Sequence, residues 1–251
     1  MTTPHPASDH PAGHADPDHA DAPPSPRSPL ADWPPTDWIP EAVVFDCDGL
    51  LLDTEAAWIG LQENYLARHH ATLTPDVRHA ITGASAEAVV GALAEAVGKP
   101  PAVVSTELMD FDDEAFRHVR MMPGALETVR VIAERRPVAV ASNSPRSLLD
   151  HKLHGMGIAE VIDASVAVED VTSPKPAPDM YAHAAELLGA DPGRTLAFED
   201  SETGARSART AGLVLIAVPS IPGQAPGADR TLSALTDPDL HTWIDTWSPR
   251  R

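Results

Sequence analysis

The chain has 251 residues, enough for one large domain or a core with a smaller module, and its composition (43% hydrophobic, 22% charged) is that of a globular protein. A formal net charge of −19 argues against general binding to nucleic acid or to anionic membrane surfaces, since both require a basic face. One cysteine, Cys47, excludes an intrachain disulfide, and there is neither a basic-then-apolar leader nor an apolar run near the roughly 20 residues of a bilayer span, so a cytoplasmic location is expected.

Residues 1–40 are dominated by Pro, Asp, His, Ala and Ser. Such a segment buries too little apolar surface to offset its ordering entropy, and a disordered tail is expected. His5, His10, His14 and His19 recur within it, but no fixed geometry makes them a metal site, and they are read as solvated. Trp33 and Trp38 close the tail, placed to dock on the domain.

The domain opens at "EAVVFDCDGLLLDTE". Ala42 to Phe45 is a short valine-rich run that predicts a buried parallel strand. From 56 to 120 the rhythm is helical without a convincing strand. Ala57, Leu61 and Tyr65 mark one helix; Val89, Val90, Leu93 and Val97 mark another, stopped by Gly98, Pro100 and Pro101. This stretch is too long for a plain crossover and predicts a small all-helical module inserted after the first strand.

Downstream, strands and helices alternate. Helices are expected at Gly124–Glu134, Ser147–His154, Pro178–Leu188 and Glu202–Ala211. Strands are expected at Val138–Ala141, Val161–Ala164, Leu196–Phe198 and Leu213–Val218. This alternation predicts an α/β fold with a parallel sheet between helical layers. The expected organisation is a core of 41–55 and 121–220, a helical module of 56–120, and a C-terminal extension of 221–251. That extension holds a short helix near Asp239–Asp245, with Trp243 and Trp247 as packing residues.

Four stations carry candidate chemistry. Asp46 and Asp48 end the first strand, with Gly49 after them. Ligands of open α/β sheets bind at carboxyl ends of strands, and two carboxylates this close invite a hard cation. Ser142 follows the second strand in "ASNS"; its hydroxyl and nearby N–H groups suit a phosphate cradle or an ordinary helix cap. Lys175 is boxed by Pro174, Pro176 and Pro178, which suits an aimed ammonium or a solvated Pro-rich turn. Glu199 and Asp200 end the fourth strand in "FEDS", where Asp200 or Ser201 alternatively caps the next helix.

The joint order of these stations resembles the haloacid dehalogenase superfamily, with "FDCDGLLLDTE", "ASNS", "KPAPD" and "FEDS" similar to its four motifs. The helical insert resembles the cap of its subfamily I, the branch with sugar-phosphate phosphatases and β-phosphoglucomutase. The resemblance spans about residues 41–220. It implies a Rossmann-like three-layer fold with sheet order 5-4-1-2-3. It also implies a Mg2+-dependent phosphatase acting on a small phosphomonoester through an aspartyl-phosphate. In that pattern Asp46 is the nucleophile and Asp48 the acid and base. Ser142, the Asn143 backbone and Lys175 hold phosphoryl oxygens. Asp46, Asp200, the Asp48 carbonyl and, through water, Glu199 hold the ion.

Some positions sort the reaction. The family's dehalogenases lack the acid found here at Asp48. Cys47 alternates away from its acidic neighbours and is read as a core thiol. Trp58, Thr82 and Ala86 stand where the phosphoglucomutases carry polar groups, which favours hydrolysis over the mutase alternative. Gly83 allows close approach of a cap loop, and Trp58 either lines the pocket or packs within the cap. Arg146 is a candidate substrate contact. Thr54, beside Asp53 and Glu55, either caps the first cap helix or sits near substrate. His69, His70, His79 and His118 are read as solvated. A non-catalytic binding protein on this fold is the alternative from another class, although Asp46, Asp48, Ser142, Lys175 and Asp200 are all present. A monomer is the default.

Overall fold

Four apolar residues, Ala42–Phe45, form β1, buried at every position. The computed structural model describes residues 30, 38–81, 86–115, 119–221 and 223–250. The expectations for the tail histidines, Trp33, Thr82, Gly83 and His118 lie outside the described residues.

After β1 the chain enters four helices: α1 (Thr54–Arg68), α2 (Pro75–Ile81), α3 (Ala86–Val97) and α4 (Pro101–Ala115). Then follow α5 (Ala125–Ala133), β2 (Val138–Ala141), α6 (Arg146–Gly155), β3 (Ala164–Val166), α7 (Asp179–Leu187) and β4 (Thr195–Glu199). The chain closes with α8 (Glu202–Thr210), β5 (Val214–Ala217), β6 (Arg230–Thr231) and α9 (Pro238–Asp245). The sheet order is β3-β2-β1-β4-β5-β6, with every neighbouring pair parallel.

Strand alternation divides the core in two. Val43, Phe45, Val138, Val140, Leu196, Phe198 and Ile216 face α5, α6 and α9. Val44, Ala139, Ala141, Ala197 and Leu215 face α7 and α8. The small side chains on this second face let Met180, Tyr181, Ala184, Ala205 and Ala208 approach the sheet closely. Helices α1, α3 and α4 bury a separate cluster of Leu61, Tyr65, Leu66, Val89, Leu93, Ala94, Val104 and Leu108. No single described helix is long and apolar enough to cross a bilayer. Only α3 and α4 taken together meet that test, and they bend by 105° at their break.

Several sequence expectations are corrected. The third strand starts at Ala164 instead of Val161, because Asp163 is used as a brace. Its carboxylate accepts the Val138 N–H at 2.9 Å and pairs with Arg250, so strand pairing begins one residue later. Val161 and Ile162 instead pack half-buried against the core from the preceding turn. Pro101 does more than stop a helix: it opens α4, where its missing N–H costs nothing. Thr54 is the first residue of α1, and Asp53 holds the cap position. His69 is paired, lying 3.7 Å from Glu107 and against the Tyr65 ring. The last 31 residues are no mere extension. β6 adds an edge strand beside β5, and Leu232, Leu235, Leu240, Ile244 and Trp247 join the main core. Trp243 stacks on Trp38 and meets Trp247 edge-on, and Leu30 is buried in the same core.

Candidate active site

Alternation places the key acids. Asp46 continues the Val44 side of β1, and Glu199 the Ala197 side of β4, so both carboxylates emerge on one face of adjacent strands. The Asp46 N–H donates to the Phe198 carbonyl at 3.0 Å and extends the ladder to the strand tips. On the opposite face, Phe45 and Phe198 stack with ring centroids 5.0 Å apart and hold the register from beneath. Asp200 follows at once, and ligand oxygens of Asp46, Glu199 and Asp200 lie within 4.8 Å of one another.

Lys175 enters this cluster from the loop before α7. Its ammonium donates to Asp46 Oδ1 at 2.5 Å, to Glu199 Oε1 at 2.7 Å and to Tyr181 Oη at 3.3 Å. The loop is clamped by Asn143, whose side-chain amide accepts the Lys175 N–H at 3.0 Å and donates to the Lys175 carbonyl at 3.1 Å. Asn143 therefore acts through its side chain on the lysine loop, which the sequence did not suggest. Glu199 is fully engaged: Lys175 and Tyr181 reach Oε1, while the N–H groups of Asp200 and Ser201 and the Ser201 hydroxyl reach Oε2.

Asp48 belongs to a second group. Its Oδ2 accepts from the hydroxyls of Ser142 at 2.9 Å and Ser144 at 3.0 Å, and its Oδ1 from the Lys152 ammonium at 2.6 Å. The Ser142 hydroxyl, expected as a phosphate donor, is thus directed at the second aspartate in this state. Lys152 and Ser144 were missed by sequence reasoning. A lysine on an amphipathic helix reads as solvated, and 104 residues separate it from Asp48.

The electrostatics of the two groups run in opposite directions. Burial pushes Asp46 well above the usual carboxylate range; Lys175 opposes this, and Glu199, Asp200 and Asp48 reinforce it. Burial, then Glu199, push Asp200 up to about 7, against Ser220, whose hydroxyl donates to it at 2.6 Å. Burial would also raise Asp48, but Lys152 with Ser142 and Ser144 overcomes it and holds the group below the usual range. Lys175 is lifted above the ordinary lysine value: burial acts against the charge, and Asp46 and Glu199 outweigh it. Three buried carboxylates around one buried ammonium leave negative charge uncompensated. An all-oxygen donor set of this charge fits a hard divalent cation.

Gly49 makes the close packing possible. Its φ is +85°, and an added Cβ would overlap the Asp200 carboxylate. Gly204 stands against Glu199 in the same manner. Gly49→Ala is expected to cost about 1–3 kcal/mol of stability and at least about tenfold in divalent-cation affinity, because both backbone and Asp200 must shift. Melting curves and calorimetric titration check this; wild-type affinity in the variant would remove Asp200 from the ion site.

The remaining candidates lie elsewhere. Arg146, the candidate substrate contact, pairs with Asp150 and Asp170 and donates to Ser165 at the β3 edge. Trp58 packs against the α1–α3–α4 cluster, the plainer of its two readings. Cys47 is fully buried in the main core.

Residues 40–212 match the family described as haloacid dehalogenase-like hydrolase. The chain is 28% identical over 212 residues to a bifunctional riboflavin kinase/FMN phosphatase of Arabidopsis thaliana, covering 82% of this chain but only 56% of that protein. It is 29% identical over 175 residues to fructose-1-phosphate phosphatase YqaB of Escherichia coli, covering 68% of this chain and 92% of the other. Among solved structures, a HAD family hydrolase from Deinococcus radiodurans, with phosphate and sodium bound, matches with TM-score 0.65 and 28% identity, over 84% of this chain and 98% of that one.

Proposed function

Because the chain belongs to the haloacid dehalogenase-like hydrolases, we propose that it is a Mg2+-dependent phosphatase of a small phosphorylated metabolite, a sugar phosphate or similar monoester. The observation that carries this reading is the arrangement at the tip of β1. Asp46 is a buried carboxylate gripped by Lys175 beside Glu199 and Asp200, and Asp48, two residues on, is braced separately and one-third exposed.

The reaction has two displacements. An Asp46 carboxylate oxygen attacks phosphorus; the bond to the ester oxygen breaks, and that oxygen takes a proton from Asp48, which gains it from solvent as the anionic phosphate enters and draws Ser142 away, and departs as the alcohol. Water then attacks phosphorus of the aspartyl-phosphate and gives its proton to Asp48. The bond to Asp46 breaks, freeing inorganic phosphate and restoring both aspartates. Lys175 and the Ser142–Asn143 segment hold the phosphoryl oxygens, so Ser142 exchanges Asp48 for phosphate when substrate arrives. Asp46, Asp200 and the Asp48 carbonyl would hold Mg2+. Glu199, its oxygens already occupied, would act from outside through water. The bound ion would let an anionic carboxylate approach an anionic phosphate and stabilise transition-state charge.

We assign residues 41–55 and 121–220 to the catalytic core and 56–120 to a cap that carries specificity. Segment 221–251 is a stabilising addition to the core. Trp58, packed against the α1–α3–α4 cluster, is not the polar group that the phosphoglucomutases carry there, which favours water as the acceptor. A phosphate release panel of fructose 1-phosphate, glycerol 3-phosphate and FMN, with Mg2+ and with EDTA, tests the reading. At least one compound is expected to turn over about 100-fold faster with Mg2+. A folded, Mg2+-loaded protein that releases nothing from the panel would sink it.

A further inference from the structure

Lys152 is a charged side chain that projects inward from the second turn of α6 and is 5% exposed. A buried ammonium is costly unless hydrogen-bonded and paired, so its position calls for a reason. Its reach ends on Asp48 Oδ1 at 2.6 Å and on the Ser144 hydroxyl at 2.9 Å. Ser144 in turn donates to Asp48 Oδ2 at 3.0 Å, and its N–H donates to the Ser142 hydroxyl at 3.0 Å. Ammonium and hydroxyls together form a fork that fixes both oxygens of one carboxylate. The fork is built entirely from the β2–α6 segment, while the carboxylate comes from the β1 tip.

We propose that Lys152, with Ser144, is a positioning residue that aims the Asp48 carboxyl for its proton transfers to and from the ester oxygen and water. The inference rests on the phosphatase reading above. It deepens that reading by separating two lysines: Lys175 serves the nucleophile and the phosphate, and Lys152 serves the acid and base. Substrate phosphate is expected to take Ser142 away from Asp48. The Lys152–Ser144 pair then keeps Asp48 from swinging into solvent, to which it is one-third exposed.

The test exploits leaving-group chemistry. An alkoxide needs a proton to depart; a nitrophenolate leaves as a stable anion. Glycerol 3-phosphate, or whichever alkyl phosphate of the panel the wild type hydrolyses fastest, is compared with p-nitrophenyl phosphate. For Lys152→Met, kcat/KM, which reports the steps up to alcohol release, is expected to fall about 30–100-fold on the alkyl ester and at most about threefold on the aryl ester, while kcat falls on both because Asp48 also activates the water. Asp48→Asn alone and the Asp48→Asn/Lys152→Met pair are expected to be equally slow on the alkyl ester, since Lys152 has nothing left to aim. Ser144→Ala removes one arm of the fork with less disturbance and is expected to show the same selectivity on a smaller scale, which serves if the methionine variant does not fold. Equal kcat/KM losses on both esters, or losses that multiply in the double variant, would overturn the positioning role. A wild type inert toward both esters would remove the phosphatase reading and this role with it; an active wild type with unselective variants would remove this role alone.

Discussion

Asp46→Asn is expected to abolish turnover while raising the melting temperature of the metal-free protein. The amide keeps the shape of the carboxylate but is no nucleophile, so kcat should fall by about 10^4 or more on any phosphomonoester the wild type hydrolyses. The stability effect has the opposite sign for an electrostatic reason. Burial and the neighbouring acids hold the Asp46 pKa well above its unfolded value of 3.8. The folded state therefore binds more protons than the unfolded one, and stability falls as pH rises through the folded pKa. At neutral pH without metal, the folded state must either hold a proton on Asp46 or bury its charge, a burden that asparagine does not carry. Lys175 retains Glu199 at 2.7 Å in the variant, so the ammonium is not stranded. Calorimetry in EDTA should show the variant melting a few degrees higher at pH 7, with the difference closing toward pH 4. Added Mg2+ should reverse the order, because the variant loses an ionic ligand. A variant that melts well below wild type in EDTA would make Asp46 a structural residue.

The parts of this architecture that strong local patterns encode were legible in the chain. Val138–Ala141 is an uninterrupted small-apolar run, and the strand occupies those four residues. The acid pairs at the tips of β1 and β4 were readable because neighbouring parallel strands bring their C-terminal ends together at a switch point. What escaped depends on distance in sequence or on short elements. β6 has two residues, Arg230 and Thr231, neither apolar; only pairing with β5 makes it a strand. The displaced start of β3 follows from Asp163 meeting Arg250, 87 residues away. The Asp48 fork joins residues 94 to 104 positions apart, and no periodicity marks Lys152 as inward-facing. The double role of Asn143 was hidden for the same reason, since its partner is the backbone of a loop 32 residues on. Trp58 and Arg146 show the converse: both had polar or aromatic character suited to a pocket, and both are committed to packing or ion pairs.

Lys175→Met should be the most damaging single change for stability, and for chemistry it should come second to Asp46→Asn. The lysine is 7% exposed, and its ammonium contacts Asp46 and Glu199 while lying 4.8 Å from the centroid of the Tyr181 ring. Methionine fills the channel but leaves the acid cluster without its cation, and stranding buried charge in this way costs about 3–5 kcal/mol. The loss should depend on pH in a defined direction. Asp200, already pushed up to about 7 with Lys175 opposing the rise, climbs further once that opposition is gone, and Asp46 does likewise. The variant's folded state then holds those protons to higher pH than the wild-type folded state does, so its extra loss of stability opens as pH rises through about 7, where wild-type Asp200 ionises. Melting curves in EDTA should show a smaller deficit at about pH 5 and a larger one at about pH 9, with Mg2+ recovering part of the difference. Activity should not recover, since the ion cannot replace the donor that orients Asp46 and the phosphoryl oxygens; a kcat loss of at least about 10^3 is expected even at saturating Mg2+. Lys175→Arg should rescue neither property, because the broader guanidinium does not fit a channel closed by Tyr181 and the clamped loop. If Lys175→Met instead melts with the wild type in EDTA at about pH 9, the acids still carry protons there. Lys175 would then act on phosphate alone rather than as the counter-charge that keeps Asp46 ready to attack.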